Sequence, residues 1–386
     1  MILGCTGSIG SSALKGLHDQ PDHYKITALS AHDDLPGLLR IARERHVSTV
    51  CLSGKTSVPQ SDITAMGFYG KLYCGREGLL AMIRETEADI VLNGIAGSAG
   101  LEPSFAVIES GKDLALANKE SVVMAGLLLL QTAREHRSTI IPVDSEHAAI
   151  AALLEAHGRS GAASLVLTAS GGPFKDTDPA LFETITVEQA LLHPTWKMGA
   201  KISIDSATMA NKGLEIMEAS ILFGFDESDI EVVVHPQSIV HSMLRMNDGA
   251  VYAQLSIPDM THPIMRALGT GLVLKDVIRP LDFSQLRLTF DQPDPRRFPM
   301  LALARACLKQ GQAAMIAFNA ANEVAVDAFI QRTISFAAIS SIVREVLEHD
   351  RPADCPSLNQ IFAIDRLARE QARQVLTGKP GPVSHR

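Results

Sequence analysis

Two acids stand two residues apart, Asp144 and Glu146, just after the run Thr139-Ile140-Ile141-Pro142-Val143. On an extended chain, residues i and i+2 point to the same side, so both carboxylates could be offered to one point. Paired oxygen ligands suit a hard divalent cation such as Mg²⁺ or Mn²⁺. The same residues also read as a helix start, with Asp144 or Ser145 as cap and Glu146 in the first turn. Further along, Ser206, Asn211 and Lys212 form a donor set suited to phosphate, and Glu215 could add a third carboxylate to a metal set. The plainer reading of that stretch is a solvated helix face.

Two glycine-rich turns offer backbone chemistry. Gly4-Cys5-Thr6-Gly7-Ser8-Ile9-Gly10 lies between an apolar tail and a helical pattern. Its glycines permit a tight turn and a close approach to a pyrophosphate, with a helix N-terminus behind it. An ordinary βα turn would look similar. The second, Ala169-Ser170-Gly171-Gly172-Pro173-Phe174, follows an apolar strand and can present N–H groups and a hydroxyl to an anion. Next, His193-Pro194-Thr195-Trp196-Lys197-Met198-Gly199 carries the only tryptophan of the chain. A lone Trp in a polar loop is either packing or a cover for a ligand.

These residues need elements to hold them. Strand and helix patterns alternate over the first 145 residues: strands at 1–3, 24–30, 49–52, 89–93, 113–117 and 139–143, helices at 11–17, 35–45, 78–85, 101–110 and 121–136. The strands are apolar on both faces, which predicts a doubly wound parallel sheet with ligands at the carboxyl ends. Only three residues precede Gly4, where a strand usually has about five or six, so the first strand is expected to be short. Strands at 165–168, 202–206, 231–234, 239–246 and 250–256 predict a central α+β unit. Prolines between 271 and 299 read as a linker. Beyond it, helices at 301–310, 316–331, 335–347 and 360–376 predict a small helical domain. Asn319, Asn322 and Glu323 there read as caps and packing contacts.

Composition sets the outer limits. With 386 residues, two or three domains are expected. A net charge of −8 argues against a nucleic-acid partner, because phosphate-backbone binding needs a Lys/Arg excess. The longest apolar stretch, 122–130, falls far short of the roughly 20 residues of a membrane span. Five widely spaced cysteines without a C-x-x-C pair fit reduced thiols in the cytoplasm.

Seven ordered motifs carry a resemblance: the first glycine turn, Leu116-Ala117-Asn118-Lys119-Glu120-Ser121, Pro142 to His147, Ala169 to Phe174, His193 to Gly199, Asp205 to Glu215, and His235-Pro236-Gln237-Ser238. Together they closely resemble the 1-deoxy-D-xylulose 5-phosphate reductoisomerase family, from Gly4 to about Asp365. The resemblance implies an NADPH-binding Rossmann-like domain (1–145), a catalytic domain with a mobile loop and dimer interface (146–270), a linker (271–299) and a helical domain (300–386). It implies a homodimer that rearranges and reduces a sugar phosphate in isoprenoid precursor synthesis. By the same resemblance Asp144, Glu146 and Glu215 match metal ligands for Mg²⁺ or Mn²⁺. Ser145, Ser170, His193, Ser206, Asn211, Lys212 and Lys119 match substrate contacts. Lys119, His193 and the three acids would then form the catalytic group. Thr6, Gly7, Ser8, Ile9, Asn118, Glu120 and Gly199 match NADPH contacts, Trp196 and Met198 match the closing loop, and His241 matches a supporting active-site histidine. Many members have a lysine after the second strand that pairs the NADPH 2′-phosphate; here the residues are His32-Asp33-Asp34.

Overall fold

The structure is a computed structural model and describes residues 1–378 apart from 21, 197 and 270–274. Lys197 of the tryptophan loop, the start of the expected linker and the last residues of the expected helical domain therefore lie outside the described residues. In chain order the elements are β1 (Ile2–Leu3), α1 (Ser8–His18), β2 (Leu29–Ala31), α2 (Leu35–Glu44), β3 (Thr49–Leu52), α3 (Gln60–Ala65), β4 (Lys71–Cys74), α4 (Gly75–Glu85), β5 (Ile90–Asn93), α5 (Leu101–Glu109), β6 (Asp113–Leu116), α6 (Lys119–His136), β7 (Ile140–Pro142), α7 (Ser145–His157) and β8 (Ala162–Ala169). There follow α8 (Val187–Leu191), α9 (Ala200–Thr208), α10 (Ala210–Phe223), β9 (Ile230–Val234), β10 (Val240–Met246), β11 (Val251–Leu255), α11 (Thr261–Leu268), α12 (Pro299–Gln310), α13 (Gln312–Ile330), α14 (Phe336–Leu347) and α15 (Leu358–Thr377).

The chain divides into two compact units. The first comprises Met1–Ser121, Leu129–Ala148 and Asp259–Pro280; the second comprises Val122–Leu128, Ala149–Pro258 and Leu281–Arg386. The expected boundaries at 145, 270 and 299 are strictly sequential, whereas these units are not. The segment around α11 rejoins the first unit because Ile264, Met265 and Ala267 bury in that unit's core.

In the first unit a seven-stranded, fully parallel sheet runs in the order β4-β3-β2-β1-β5-β6-β7. Strand order reverses between β1 and β5, the switch point at which such sheets bind ligands. β1 is two residues long, as expected, yet Ile2 and Leu3 are fully buried and pair on both sides. The expected second strand at 24–30 shrinks to Leu29–Ala31. The sequence reading missed β4, α3 and α11, all short segments.

The second unit holds a mixed four-stranded sheet in the order β11-β10-β8-β9, with β8 and β9 parallel and the remaining pairs antiparallel. The expected strand at 202–206 is instead part of α9. Its Ile-Ser-Ile alternation suggests a strand, but the buried residues are Ser203, Ile204, Asp205, Ala207 and Thr208, in which 203 and 204 recur at 207 and 208 with a helical spacing. Lys201 adds an i,i+4 ion pair of 2.8 Å with Asp205. All four expected C-terminal helices are present, with bounds shifted by a few residues. α13 is long and apolar enough by composition to cross a membrane, but 78% of that stretch is buried inside the fold. It is the central helix of the largest core cluster. Asn319 and Asn322 on it are fully buried rather than caps; Asn322 donates to Asp205 at 2.7 Å.

Candidate active site

In the first unit the glycine turn forms at the sheet's switch point. Gly4 has φ +78°, and a Cβ there would lie 3.0 Å from the Gly94 carbonyl oxygen, just past β5. A side chain would be strained by that backbone angle and tight against the strand end. Gly7 caps α1 with no side-chain hydrogen bond, and no acid stands in the helix's first turn. Gly7 and Ser8 are exposed, and Thr6 and Ile9 partly so. The Gly4, Cys5 and Gly7 N–H groups are engaged within the fold, so what the turn presents to an anion is the exposed first turn of α1 and its positive helix end, which fits a dinucleotide pyrophosphate.

Ser30 holds this turn from β2, a role its sequence position did not signal. Its buried hydroxyl accepts from the Gly4 N–H at 3.2 Å, and its carbonyl accepts from Cys5 N–H at 2.8 Å. Beyond it, the two acids after β2 have different positions. Asp34 caps α2, accepting from the Gly37 N–H at 2.9 Å. Asp33 lies 3.6 Å from the His32 ring, whose Nδ1 is 3.2 Å from the Ser53 hydroxyl.

Asn118, Lys119 and Glu120 open α6. Asn118 caps the helix on Ser121 N–H at 2.9 Å and donates to the carbonyls of Ile95 and Gly97, both at 2.7 Å. It braces the loop after β5. Lys119, nearly fully buried, reaches Asp144 at 2.5 Å.

The chain is not extended at Asp144. β7 ends at Pro142 and α7 begins at Ser145, so the same-side argument for Asp144 and Glu146 is corrected: the helix-start reading describes the backbone. Asp144 accepts from the Glu146 N–H at 3.2 Å, Glu146 lies in the first turn, and the Ser145 hydroxyl bonds the Glu146 carboxylate. Both acids nevertheless remain in a position to offer an oxygen. His147, fully buried and not singled out from the sequence, sets its Nδ1 3.2 Å from the Asp144 carboxylate. Burial pushes the Asp144 carboxyl up, but the Lys119 charge and the His147 contact outweigh it and hold it well below the usual carboxylate range.

In the second unit the other glycine turn, which carries Ser170, packs against the segment that carries Ser206. Gly172 has φ +64°, and a Cβ there would lie 2.9 Å from the Ser206 carbonyl oxygen, so the turn presses directly on α9. The Ser170 hydroxyl accepts from the Gly172 N–H at 3.2 Å and sits 2.9 Å from His193 Nε2. Met209, in the left-handed region, breaks α9 from α10. The first turns of α10 then put Asn211, Lys212 and Glu215 on one face. Asn211 donates to Glu215 at 2.5 Å, and Lys212 pairs with the same carboxylate. The Lys212 and Glu215 side chains are only 4% and 1% exposed.

Gly199 caps α9 without a side-chain bond. His241 is buried, with Nε2 2.8 Å from the Ser256 hydroxyl and its ring 6.2 Å from that of Trp196. His235, whose motif had no assigned role, is a tie. Its Nδ1 is 2.9 Å from the Thr289 carbonyl, while Nε2 accepts from the Ile239 and Val240 N–H groups at 3.2 Å. It fixes the turn after β9, a long-range role that no local sequence signal reveals.

The donor chemistry fits a hard cation: Asp144 and Glu146 in the first unit, and Glu215 in the second, are all carboxylates.

Comparison with known proteins agrees along nearly the whole chain. Family models described as 1-deoxy-D-xylulose 5-phosphate reductoisomerase match residues 1–126, with the corresponding C-terminal domains matching 140–223 and 255–371. The 1-deoxy-D-xylulose 5-phosphate reductoisomerase of Treponema denticola is 45% identical over 96% of this chain and 94% of its own. That of Stutzerimonas stutzeri is 43% identical over 97% of each. A crystal structure of DOX-P reductoisomerase in complex with NADPH, fosmidomycin and magnesium superposes with a TM-score of 0.90, at 40% identity and 97% coverage of both chains. The Zymomonas mobilis enzyme in complex with NADPH gives 0.88 at 40% identity, covering 97% of this chain and 98% of that one. The chain belongs to the 1-deoxy-D-xylulose 5-phosphate reductoisomerase family.

Proposed function

We propose that this chain converts 1-deoxy-D-xylulose 5-phosphate to 2-C-methyl-D-erythritol 4-phosphate, an NADPH-dependent step toward isoprenoid precursors. A carbon–carbon bond of the substrate is broken and remade to give an aldehyde, which is then reduced. The observation that carries this reading is a pair of buried lysine–carboxylate contacts, Lys119 with Asp144 and Lys212 with Glu215. A protein rarely buries two charged pairs at residues whose types and spacing already suggest metal and phosphate chemistry.

Asp144, Glu146 and Glu215 would hold the divalent cation, Mg²⁺ or Mn²⁺. When bound, the cation supplies Lewis acidity to the substrate oxygens, and NADPH supplies the hydride. The protein's own groups do the rest. Ser170, Ser206, Asn211 and Lys212 bind and orient the phosphate end, and Ser145 and Lys119 contact the sugar. Thr6, Gly7, Ser8 and Ile9 cradle the dinucleotide, with Asn118, Glu120 and Gly199 completing its site. Trp196 and Met198 cover the substrate and exclude water, which strengthens each polar contact inside.

The enzyme acts as a homodimer in the cytoplasm. Edge strand β11 supports the dimer: Val251 and Tyr252 are 51% and 41% exposed on an unpaired strand edge. Five unpaired thiols, four of them buried, support the compartment.

The test is NADPH oxidation with the sugar phosphate and Mg²⁺ or Mn²⁺, with the product identified by ³¹P NMR. Turnover is expected only when all components are present. An equal rate with the metal chelated would remove the metal role.

A further inference from the structure

His193 has three polar contacts that together settle which ring nitrogen carries the proton. The backbone N–H groups of Thr195 and Trp196 both donate to its Nδ1, at 3.1 and 2.9 Å. A nitrogen that accepts two N–H groups has no proton of its own. In the neutral ring the proton therefore sits on Nε2, and Nε2 lies 2.9 Å from the Ser170 hydroxyl oxygen. Ser170 thus accepts twice, from His193 Nε2–H and from the Gly172 N–H at 3.2 Å. With both lone pairs engaged, the Ser170 O–H remains to be donated outward.

We propose that His193 is a positioning residue, locked as the neutral Nε2–H tautomer by the backbone of its own loop, which turns the Ser170 hydroxyl into a fixed hydrogen-bond donor toward an anionic oxygen of the substrate. The ring is then neither general acid nor general base. Protonating it would set a third N–H against the two already pointing at Nδ1. Burial acts in the same direction, pushing the imidazole down to about 4. One ring therefore ties two functions. Its Nδ1 holds the start of the tryptophan loop, which also rests Thr195 on the Pro236 carbonyl at 3.5 Å. Its Nε2 orients the glycine-turn serine. The arrangement itself stands on contacts within one unit; only the substrate end rests on the proposed function.

The direct test is ¹⁵N NMR of histidine-labelled protein at pH 7, with the His193 signals identified by their loss in His193→Asn. The Nε2–H pattern is expected. An Nδ1–H or doubly protonated ring overturns the proposal. Two variants separate the two ends. Asn keeps an acceptor for the loop N–H groups but cannot reach Ser170; Gln keeps a donor near Ser170 but withdraws the acceptor. Trp196 is the only tryptophan, so fluorescence quenching reads the loop directly. His193→Gln is expected to raise acrylamide quenching about twofold and His193→Asn to leave it near wild type. His193→Asn is expected to raise the substrate KM by about tenfold, in line with one hydrogen bond to a charged group, with a smaller effect on kcat. Equal quenching in the two variants would contradict the split. If the NMR and quenching results hold but KM is unchanged, the lock stands and Ser170 is not a substrate donor, which overturns that part of the proposal. Failure of the proposed function would instead show as absence of turnover in the wild-type enzyme.

Discussion

Each unit buries one lysine–carboxylate pair, and the two are built differently. In the first, Lys119 and Asp144 are 25 residues apart, brought together by the ends of β6 and β7, with His147 as an additional partner. In the second, Lys212 and Glu215 are three residues apart on α10, with Asn211 one turn away. The first pair depends on a whole sheet being correctly formed. The second depends only on the register of one helix and on its burial. In the first, the lysine keeps the Asp144 carboxylate ionised in spite of its burial, the state a metal ligand requires.

The largest effects should come from removing the carboxylate charge. Glu215→Gln and Asp144→Asn are each expected to lower kcat by about 10²-fold or more, the scale of losing an electrostatic stabiliser. Full activity in either variant would remove that residue from the chemistry. Next come the lysines. Lys119→Met and Lys212→Met each leave a buried carboxylate without its cation, a change worth about 3–5 kcal/mol in buried pairs. In urea denaturation the Lys119 loss should be the smaller, because His147 remains beside Asp144. Equal losses would mean that His147 shares none of the charge.

Acid should weaken the two units in sequence. His193 has a folded value near 4, below the ordinary imidazole value of about 6.5. Between those values the unfolded chain binds a proton that the folded chain does not, so stability falls as pH drops through that window. His235, also pushed down by burial, acts in the same direction. Asp144 is depressed instead, so its contribution is complete above about pH 4 and is lost only below it. His193→Asn should flatten the stability profile between about pH 6.5 and 4, and Asp144→Asn should flatten it at lower pH. The smallest effect belongs to Ser30→Ala. It removes one acceptor from the first glycine turn, worth about 1 kcal/mol, and is expected to weaken NADPH binding a few-fold by fluorescence titration.

Legibility in the sequence followed the same division between local and long-range order. The first glycine turn, the short first strand and the parallel alternation were readable because each is a local pattern along the chain. The α10 set was readable because i, i+1 and i+4 fall on one helical face once the helix is granted. The Ile202-Ser203-Ile204 run misled because its alternation has a strand's period, and only burial against neighbouring helices decides otherwise. His147, Ser30 and His235 were invisible as functional residues. Each acts on a partner reached through a turn or a neighbouring strand, and no spacing rule encodes that. The return of the α11 segment to the first unit was hidden for the same reason. Asp144 and Glu146 stood out as candidate ligands by residue type and by family resemblance, while their backbone conformation was better described by capping preference.

The most direct test of the proposed three-carboxylate metal set is Mn²⁺ titration followed by EPR, on the wild type and on Asp144→Asn, Glu146→Gln and Glu215→Gln separately. One tightly bound Mn²⁺ per chain is expected in the wild type, with affinity lost in each single variant. Wild-type affinity in the Glu215 variant would contradict a cation shared by all three.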